Sequence, residues 1–380
     1  MAGGGAVAET SLHDQWVRKY GTRTDLALEA REVVVRHEGP PEIPGVAVDT
    51  EETPVGLVSR VTIATEEGSR AMGKMPGRYT TIEAAALRRR DHAGLEETAA
   101  LIGREIRAYL QALGVPPDGQ TIVIGLGNWN ATPDALGPRT VHHLAVTRHF
   151  YCSAPPDGRR GMRPVAGLAP GVLGITGLET AEIVLGLVRQ VQPAAVVCVD
   201  ALAARSTERL LTTIQISDAG IQPGSGVGNK RFGINRQTLG VPVLAVGVPT
   251  VVHATTVVGD GLERLAAGGG MPRPGPYGAP AYGGPPAAAF PGGGNAPFGA
   301  PPHGVPPPGA AGPPPSVPPD VKREVVEDVL RPFMGDLVMT PKEIDVLVED
   351  AAETLAEGLN QGLHDDLDLN RLILSAIGGG

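Results

Sequence analysis

The stretch Thr121-Ile-Val-Ile-Gly-Leu-Gly127 decides the fold class of this 380-residue chain. It is a short, continuous apolar run of β-branched residues bounded by glycine, which is typical of a buried strand in a parallel sheet. A segment with helical spacing precedes it and ends at Gly114. The apolar positions of that helix face are Leu95, Ala99, Ile102, Ile106, Tyr109 and Leu113. A helix followed by a buried strand is therefore predicted here.

The same order recurs farther along the chain. Residues 179–191 have helical periodicity and lead into the apolar run 194–200, and a further strand is predicted over residues 241–247. Alternating helices and buried strands predict an α/β domain over residues 26–267. Its sheet is expected to be mostly parallel, with helices on both faces.

Proline and glycine are concentrated in one part of the chain. Residues 268–319 contain 18 of the 37 prolines and 14 of the 53 glycines. Such a stretch cannot bury enough apolar surface to offset its ordering entropy, so residues 268–320 are predicted to be a disordered linker. Apolar spacing then predicts a C-terminal helical tail over residues 321–377. Within it, Thr340-Pro-Lys-Glu343 has the pattern of a capping box that starts a helix.

Charge and cysteine content exclude several classes of protein. The formal net charge is −9 and the basic residues are dispersed, which argues against direct binding to nucleic acid or to an anionic membrane. Cys152 and Cys198 are too few for a disulfide framework, which favours a reducing compartment and predicts a cytoplasmic protein. No run approaches the roughly 18 apolar residues of a membrane span.

Two aspartates follow predicted strands. Asp134 lies in the loop after the first strand, and Asp200 ends the strand 194–200. Ligands of open parallel sheets bind beyond the carboxyl ends of strands, so both side chains can face one crevice. Two neighbouring carboxylates do not both ionise easily, and such a pair can activate water and protonate a leaving group. The alternative is that each aspartate caps a following helix, and spacing alone favours the caps.

Two further segments have more than one interpretation. The loop 224–230 resembles a phosphate-binding loop, but it lacks the glycine before Lys230 and a hydroxyl residue after it. We interpret it as a nest of backbone N–H groups with Lys230 as a nearby cation, suited to a carboxylate or an oxyanion. The joint at Thr24-Asp25 is either an exposed proteolytic site or a helix cap before Leu26, and the pattern alone favours the cap.

Several long motifs resemble those of the spore germination protease family of endospore-forming bacteria. They are Gly73-Lys-Met-Pro-Gly-Arg-Tyr79, the glycine- and asparagine-rich stretch 125–138, residues 170–180, residues 200–205 and Ser225-Gly-Val-Gly-Asn-Lys-Arg231. The resemblance covers residues of about 20–265 and 321–368 in the same order. It implies an endopeptidase that degrades small acid-soluble spore proteins during germination in the spore core. It also implies a zymogen that removes its own propeptide, a homotetramer, and a fold similar to that of hydrogenase maturation endopeptidases.

The resemblance assigns roles to individual residues. It implies an atypical aspartic peptidase with Asp134 and Asp200 as the catalytic pair and with no cofactor or metal. The family cleaves at Thr-Glu, then an aliphatic or aromatic residue, then Ala-Ser-Glu, and residues 24–29 are similar to that pattern. Self-cleavage is therefore expected between Asp25 and Leu26, which makes residues 1–25 a propeptide and replaces the cap interpretation. Asn128 and Lys230 are candidate positioning or oxyanion groups.

Two other functions remain open at this point. His253 stands where the resemblance leads us to expect an acidic residue, so a metal-dependent peptidase is one alternative. In it the same two aspartates and His253 or His142 would bind a cation, although the spacing fits no zinc signature. The second alternative is a non-catalytic spore scaffold that recruits partners through its proline-rich linker.

Overall fold

A nine-stranded sheet lies at the centre of the computed structural model, which describes residues 24–38, 42–221, 233–254, 256–258 and 337–365. Its strands are β1 (Val46–Glu52), β2 (Leu57–Ile63), β3 (Gly77–Glu83), β4 (Thr121–Gly125), β5 (Val165–Leu168), β6 (Ala195–Ala204), β7 (Thr213–Ser217), β8 (Val243–His253) and β9 (Val338–Met339). They are ordered β1-β2-β3-β7-β8-β6-β4-β5, and β9 pairs with β8.

Helices connect or cover most of these strands. They are α1 (Ala27–Glu38), α2 (Glu66–Met72), α3 (Ala85–Arg89), α4 (His92–Ala112), α5 (Leu136–His143), α6 (Arg148–Ser153), α7 (Leu173–Thr176), α8 (Thr180–Val191), α9 (Arg236–Leu239) and α10 (Ile344–Leu363). The face predicted for α4 is confirmed, since Ala99, Ile102, Ile106 and Tyr109 are buried. Among the described residues, none of the helices is both long and apolar enough to cross a membrane.

The sheet is mixed rather than mostly parallel. Strands β5, β4, β6 and β8 are parallel neighbours, whereas β1, β2, β3, β7 and β9 join by antiparallel pairing. The antiparallel pairing of β1 with β2 follows from a short connection: Thr53 and Gly56 exchange backbone hydrogen bonds between these strands, and so tight a turn can join only antiparallel strands. The predicted α/β class is confirmed, and its parallel part is the half that the sequence patterns identified.

Helices cover both faces of the parallel strands. Val123 and Val197 belong to the core that includes residues of α4 and α10. Their neighbours Ile122 and Val196 point the other way and pack with Val184 and other residues of α8. Because successive side chains of a strand alternate between faces, both sides of β4 and β6 are buried, as the continuous apolar runs predicted.

Strand β6 is longer than predicted, which corrects the placement of Asp200. The residue lies inside the strand rather than at its end, and no helix begins near Ala201, so the helix-cap interpretation of Asp200 is wrong. The strand continues because β8 runs on to His253 and keeps pairing with residues 201–204. Strand β4 ends opposite Val199, so Asp200 is the first position of β6 beyond the carboxyl end of that neighbour.

The described part of the tail packs on the α/β body. Helix α10 lies against α4 at close range, since a Cβ at Gly358 would lie 2.6 Å from the Ile102 side chain. The predicted capping box at Thr340 is wrong. Helix α10 begins at Ile344 without a side-chain cap, and Thr340 Oγ1 donates instead to the carbonyl of Thr250 in β8.

Some predictions fall on residues that the structure does not describe. These are the arm before residue 24, the 224–230 loop, the 268–320 linker and the tail segments 321–336 and 366–377.

Candidate active site

Asp134 is held by the loop that leaves β4. It ends a short 3-10 turn, Thr132–Asp134, and its carboxylate accepts the backbone N–H of Asn128 at 2.8 Å. The same N–H lies 3.1 Å from the Asp134 carbonyl oxygen. Helix α5 begins at Leu136 without a side-chain cap, so the interpretation of Asp134 as a helix cap is also wrong.

Glycine allows this loop to lie directly on the sheet. A Cβ at Gly137 would lie 2.3 Å from the Leu126 carbonyl oxygen and 2.5 Å from that of Val199. A Cβ at Gly127 would lie 2.0 Å from the Asp134 carbonyl oxygen. Only residues without a side chain fit at these approaches, so the start of α5 and the 3-10 turn rest on the ends of β4 and β6. This packing places Asp134 near enough to Asp200 for its charge to raise the pKa of that carboxyl group.

Asp200 is a carboxyl group whose ionisation is disfavoured. Burial is the largest cause that raises its pKa well above the ordinary range, and the charges of Asp134 and Asp25 raise it further. The N–H of Ala201, 3.0 Å from Asp200 Oδ1, acts in the opposite direction. Asp134 and Asp200 are therefore electrostatically coupled, and Asp200 holds its proton to higher pH than an exposed aspartate.

A stability measurement tests the raised pKa of Asp200. Because the pKa of Asp200 is higher in the folded than in the unfolded chain, its contribution to stability is complete below the unfolded pKa of about 3.9 and is lost as pH rises through the folded pKa. Asp200→Asn cannot ionise, so we expect the variant to melt at higher temperature than wild type at neutral pH. The difference should shrink towards acid in thermal melts. The exposed Asp91→Asn is the control, and equal melting of the Asp200 variant and wild type at every pH would contradict the raised pKa.

The predicted cleavage site lies against β6. The N–H of Asp25 donates to the Ala203 carbonyl oxygen at 3.0 Å, and Asp25 Oδ2 accepts the Ala203 N–H at 2.8 Å. Leu26 is fully buried. Its apolar surroundings are Leu202, Ala204, Leu210, Val252 and the partly buried Val257. The structure thus brings Asp25 and Leu26 to the strand that carries Asp200.

Residues on both sides of Asp25 are anchored by polar contacts. Lys74 Nζ donates to the Thr24 carbonyl oxygen at 2.7 Å. The Glu29 carboxylate, which is buried, accepts the N–H groups of Arg205 at 2.7 Å and Ser206 at 2.9 Å. Burial lowers the pKa of Lys74, and the charges of Asp25 and Glu29 partly oppose that effect. Residues 24–29 are therefore fixed at both ends beside β6.

Sequence reasoning missed three residues of this site. Lys74 belongs to the Gly73–Tyr79 motif, which was a signal of its importance but not of its contact. Glu29 entered only as the last residue of the cleavage pattern. Gln215 of β7 gave no signal at all, yet its side chain donates to the Asp25 carbonyl oxygen and accepts the Ala27 N–H.

Three other residues were singled out from the sequence, namely Asn128, Lys230 and His253, and the structure describes two of them. Asn128 positions Asp134 through its backbone, while its side-chain oxygen accepts the Asn130 N–H at 3.0 Å. Lys230 lies outside the described residues. His253 is buried near the end of β8, opposite Val338 of β9.

The metal alternative gains no support from the described ranges. The group of three potential ligands found there is His143, Glu349 and Glu353, and neither Asp134 nor Asp200 belongs to it. Arg139 Nη1 lies 2.5 Å from the Glu349 carboxylate, so a cation already occupies part of that group. His142 contacts aromatic rings instead, with its ring centroid 6.1 Å from that of Trp129.

Comparison with known proteins gives consistent matches. The family model described as germination protease matches residues 27–268 and 315–373. The chain is 40% identical over 360 residues to the germination protease of Priestia megaterium (strain ATCC 12872 / QMB1551), covering 92% of this chain and 95% of that protein. It is 41% identical over 355 residues to the germination protease of Bacillus subtilis (strain 168), with the same two shares.

A search of solved structures gives a more distant match. It is the crystal structure of a NiFe hydrogenase maturation protease HycI from Thermococcus kodakarensis KOD1, with 18% sequence identity and a TM-score of 0.22. The match covers 39% of this chain and 88% of that one.

Proposed function

We propose that this chain, which belongs to the germination protease family, is an aspartic endopeptidase made as a zymogen that cleaves its own Asp25–Leu26 bond. The observation that carries the proposal is the convergence of Asp134, Asp200 and the anchored Asp25 at the carboxyl edge of β4 and β6. Residues 1–25 are the propeptide in this proposal. Neither a cofactor nor a metal ion takes part in the reaction.

The mechanism uses the unequal protonation of the two aspartates. Asp200 keeps its proton because its pKa is raised, while Asp134 carries the charge. The Asp134 carboxylate takes a proton from water, whose oxygen attacks the Asp25 carbonyl carbon, and Asp200 gives its proton to the carbonyl oxygen. The tetrahedral intermediate then collapses, the C–N bond breaks, and the Leu26 nitrogen receives the proton from Asp134. Asp200 regains its proton from the new carboxyl group.

Small acid-soluble spore proteins are the proposed external substrates. Residues 24–29 support this proposal because they are similar to the Thr-Glu-aliphatic-Ala-Ser-Glu pattern and are anchored beside Asp200. In such substrates a buried carboxylate at the last position would meet the same backbone N–H groups that hold Glu29. We further propose that the protein acts as a homotetramer in the cytoplasm of the forespore and in the spore core.

Self-cleavage of the purified full chain tests the proposal. We expect intact-mass analysis and N-terminal sequencing to show a product that begins at Leu26. Its rate should fall as pH rises through the folded pKa of Asp200, because the mechanism needs that group protonated. A stable full-length chain, or a first product that begins elsewhere, would contradict the proposed site. Cleavage that stops after exhaustive chelation and returns with added metal would favour the metal-dependent alternative.

A further inference from the structure

We infer that Gln215 clamps the Asp25–Leu26 peptide bond and stabilises the charge that develops on its carbonyl oxygen. Gln215 Nε2 donates to the Asp25 carbonyl oxygen at 3.0 Å. Gln215 Oε1 accepts the Ala27 N–H at 2.7 Å. One side-chain amide therefore holds the chain on both sides of the bond. The inference rests on the proposed self-cleavage between Asp25 and Leu26.

The sheet register places Gln215 in line with Asp200. Gln215 of β7 is opposite Gly247 of β8, and Gly247 is in turn opposite Asp200 of β6. Residues directly opposite one another in neighbouring strands point to the same face. Gln215 and Asp200 thus stand on one face, two strands apart, with a residue that has no side chain between them. At about 4.8 Å per strand the two Cα positions are roughly 10 Å apart, a span that a short extended segment can bridge.

The N-terminal segment occupies that span. Asp25 pairs with Ala203 of β6 on one side and is bound by Gln215 of β7 on the other. The side chain of Leu26 belongs to the same buried apolar cluster as Leu202 of β6, which lies two residues beyond Asp200 on the same face. The bond between Asp25 and Leu26 is therefore held between β6, the strand that carries Asp200, and the side chain of Gln215 on β7.

The side chain of Gln215 is committed to this segment. It is 8% exposed, and both of its polar atoms bond to residues 25 and 27. A buried amide needs a partner for its donor and for its acceptor, and here one peptide supplies both. The orientation follows from the partners, because a carbonyl oxygen must face the NH₂ and an N–H must face the oxygen.

These contacts have a chemical consequence. Attack of water makes the Asp25 carbonyl oxygen more negative, so a fixed N–H donor at that oxygen binds the transition state more strongly than the ground state. Loss of one such donor slows acyl transfer by about 10²- to 10³-fold in well-characterised peptidases. The contact to Ala27 keeps the other side of the bond from rotating while the C–N bond breaks.

Gln215→Glu and Gln215→Met separate the donor from the shape of the side chain. The glutamate variant keeps an acceptor for the Ala27 N–H but loses the donor when it is ionised, and it regains an O–H donor when protonated. We expect its release of the Leu26 product to be about 10²- to 10³-fold slower than wild type at neutral pH and to recover towards acid. Gln215→Met should be slow at every pH. The measurement is the rate of product formation by intact mass across pH, with thermal melts of each full chain.

The controls distinguish this inference from the proposed function. The exposed Gln111→Glu should behave like wild type at every pH. Wild-type rates in both Gln215 variants would overturn the role of Gln215 while leaving self-cleavage intact. A slowing of the glutamate variant that is independent of pH and parallels its loss of thermal stability would also overturn it, in favour of a structural role. A wild-type chain that never releases Leu26 would overturn the proposed function and this inference together.

Discussion

Asp134→Asn and Asp200→Asn should each slow release of the Leu26 product by about 10³-fold or more. An amide at position 134 cannot accept the proton of the attacking water, and an amide at position 200 cannot protonate the carbonyl oxygen. Both replacements preserve shape, and the Asn128 N–H can still donate to the amide oxygen at position 134. The loss of cleavage should therefore not come from unfolding: thermal melts of the same samples should show both variants folded, with Asp200→Asn at least as stable as wild type at neutral pH.

The matched control for these variants is Asp345→Asn. Asp345 lies at the start of α10, and its carboxylate accepts the hydroxyl hydrogen of Thr132 at 2.8 Å, two residues from Asp134. An asparagine oxygen can accept the same bond, and Asp345 moves no proton in the proposed mechanism. We expect its rate of self-cleavage to stay within a few-fold of wild type. Rates near wild type in either catalytic variant would exclude a mechanism based on the aspartate pair.

A double variant that combines Asp134→Asn with Asp200→Asn tests whether the two aspartates act as a unit. If both aspartates are needed for the same chemical step, the double variant should cleave itself no more slowly than the slower single variant, because either single replacement already abolishes that step. If the two aspartates contributed independently, the fold reductions in rate of the two single variants would multiply in the double variant. Quantifying the residual product of all three variants in one time course decides between these cases.

The parallel half of the fold was predictable from the sequence because its signal is local. Residues 122–124 and 195–199 are buried and apolar at every position, because both faces of these strands are covered, so each strand can be recognised without its partners. The antiparallel half was not predicted, because strands β1 to β3 depend on cross-strand pairing rather than on continuous apolar runs. The length of β6 was missed for the same reason. It is β8 that supplies the backbone partners beyond Asp200.

The residues of the candidate site also fall into those that the sequence predicted and those that it did not. Asp134 and Asp200 were found because each stands in or next to a recognisable strand, and the resemblance then favoured catalysis over helix caps. Lys74 and Gln215 were missed because their contacts are long-range: Lys74 binds a residue 50 positions away, and Gln215 binds one 190 positions away. The sequence around Gln215 does not indicate that the fold places residues 25 and 27 beside its side chain.

Removal of residues 337–380 should prevent the body from folding, because α10 supplies one side of the core. The helix buries a continuous apolar face against α4, which consists of Leu347, Val348, Ala351, Leu355, Leu359 and Leu363. Each large side chain contributes about 1.5–3 kcal/mol on burial, so their sum is comparable with the whole stability of an ordinary domain, about 5–15 kcal/mol. The truncation also removes the contacts of Thr340 with Thr250 and of Asp345 with Thr132, which support the loop that carries Asp134. We expect a loss of cooperative melting and of self-cleavage, measured by circular dichroism and intact mass.

Deletion of residues 271–318 is the matched control, since it shortens the connection but keeps α10, and it should retain both properties. A truncated chain that melts cooperatively and still releases Leu26 would show that the tail is dispensable, and loss of activity in the control would instead support a partner-recruiting role for the proline-rich segment.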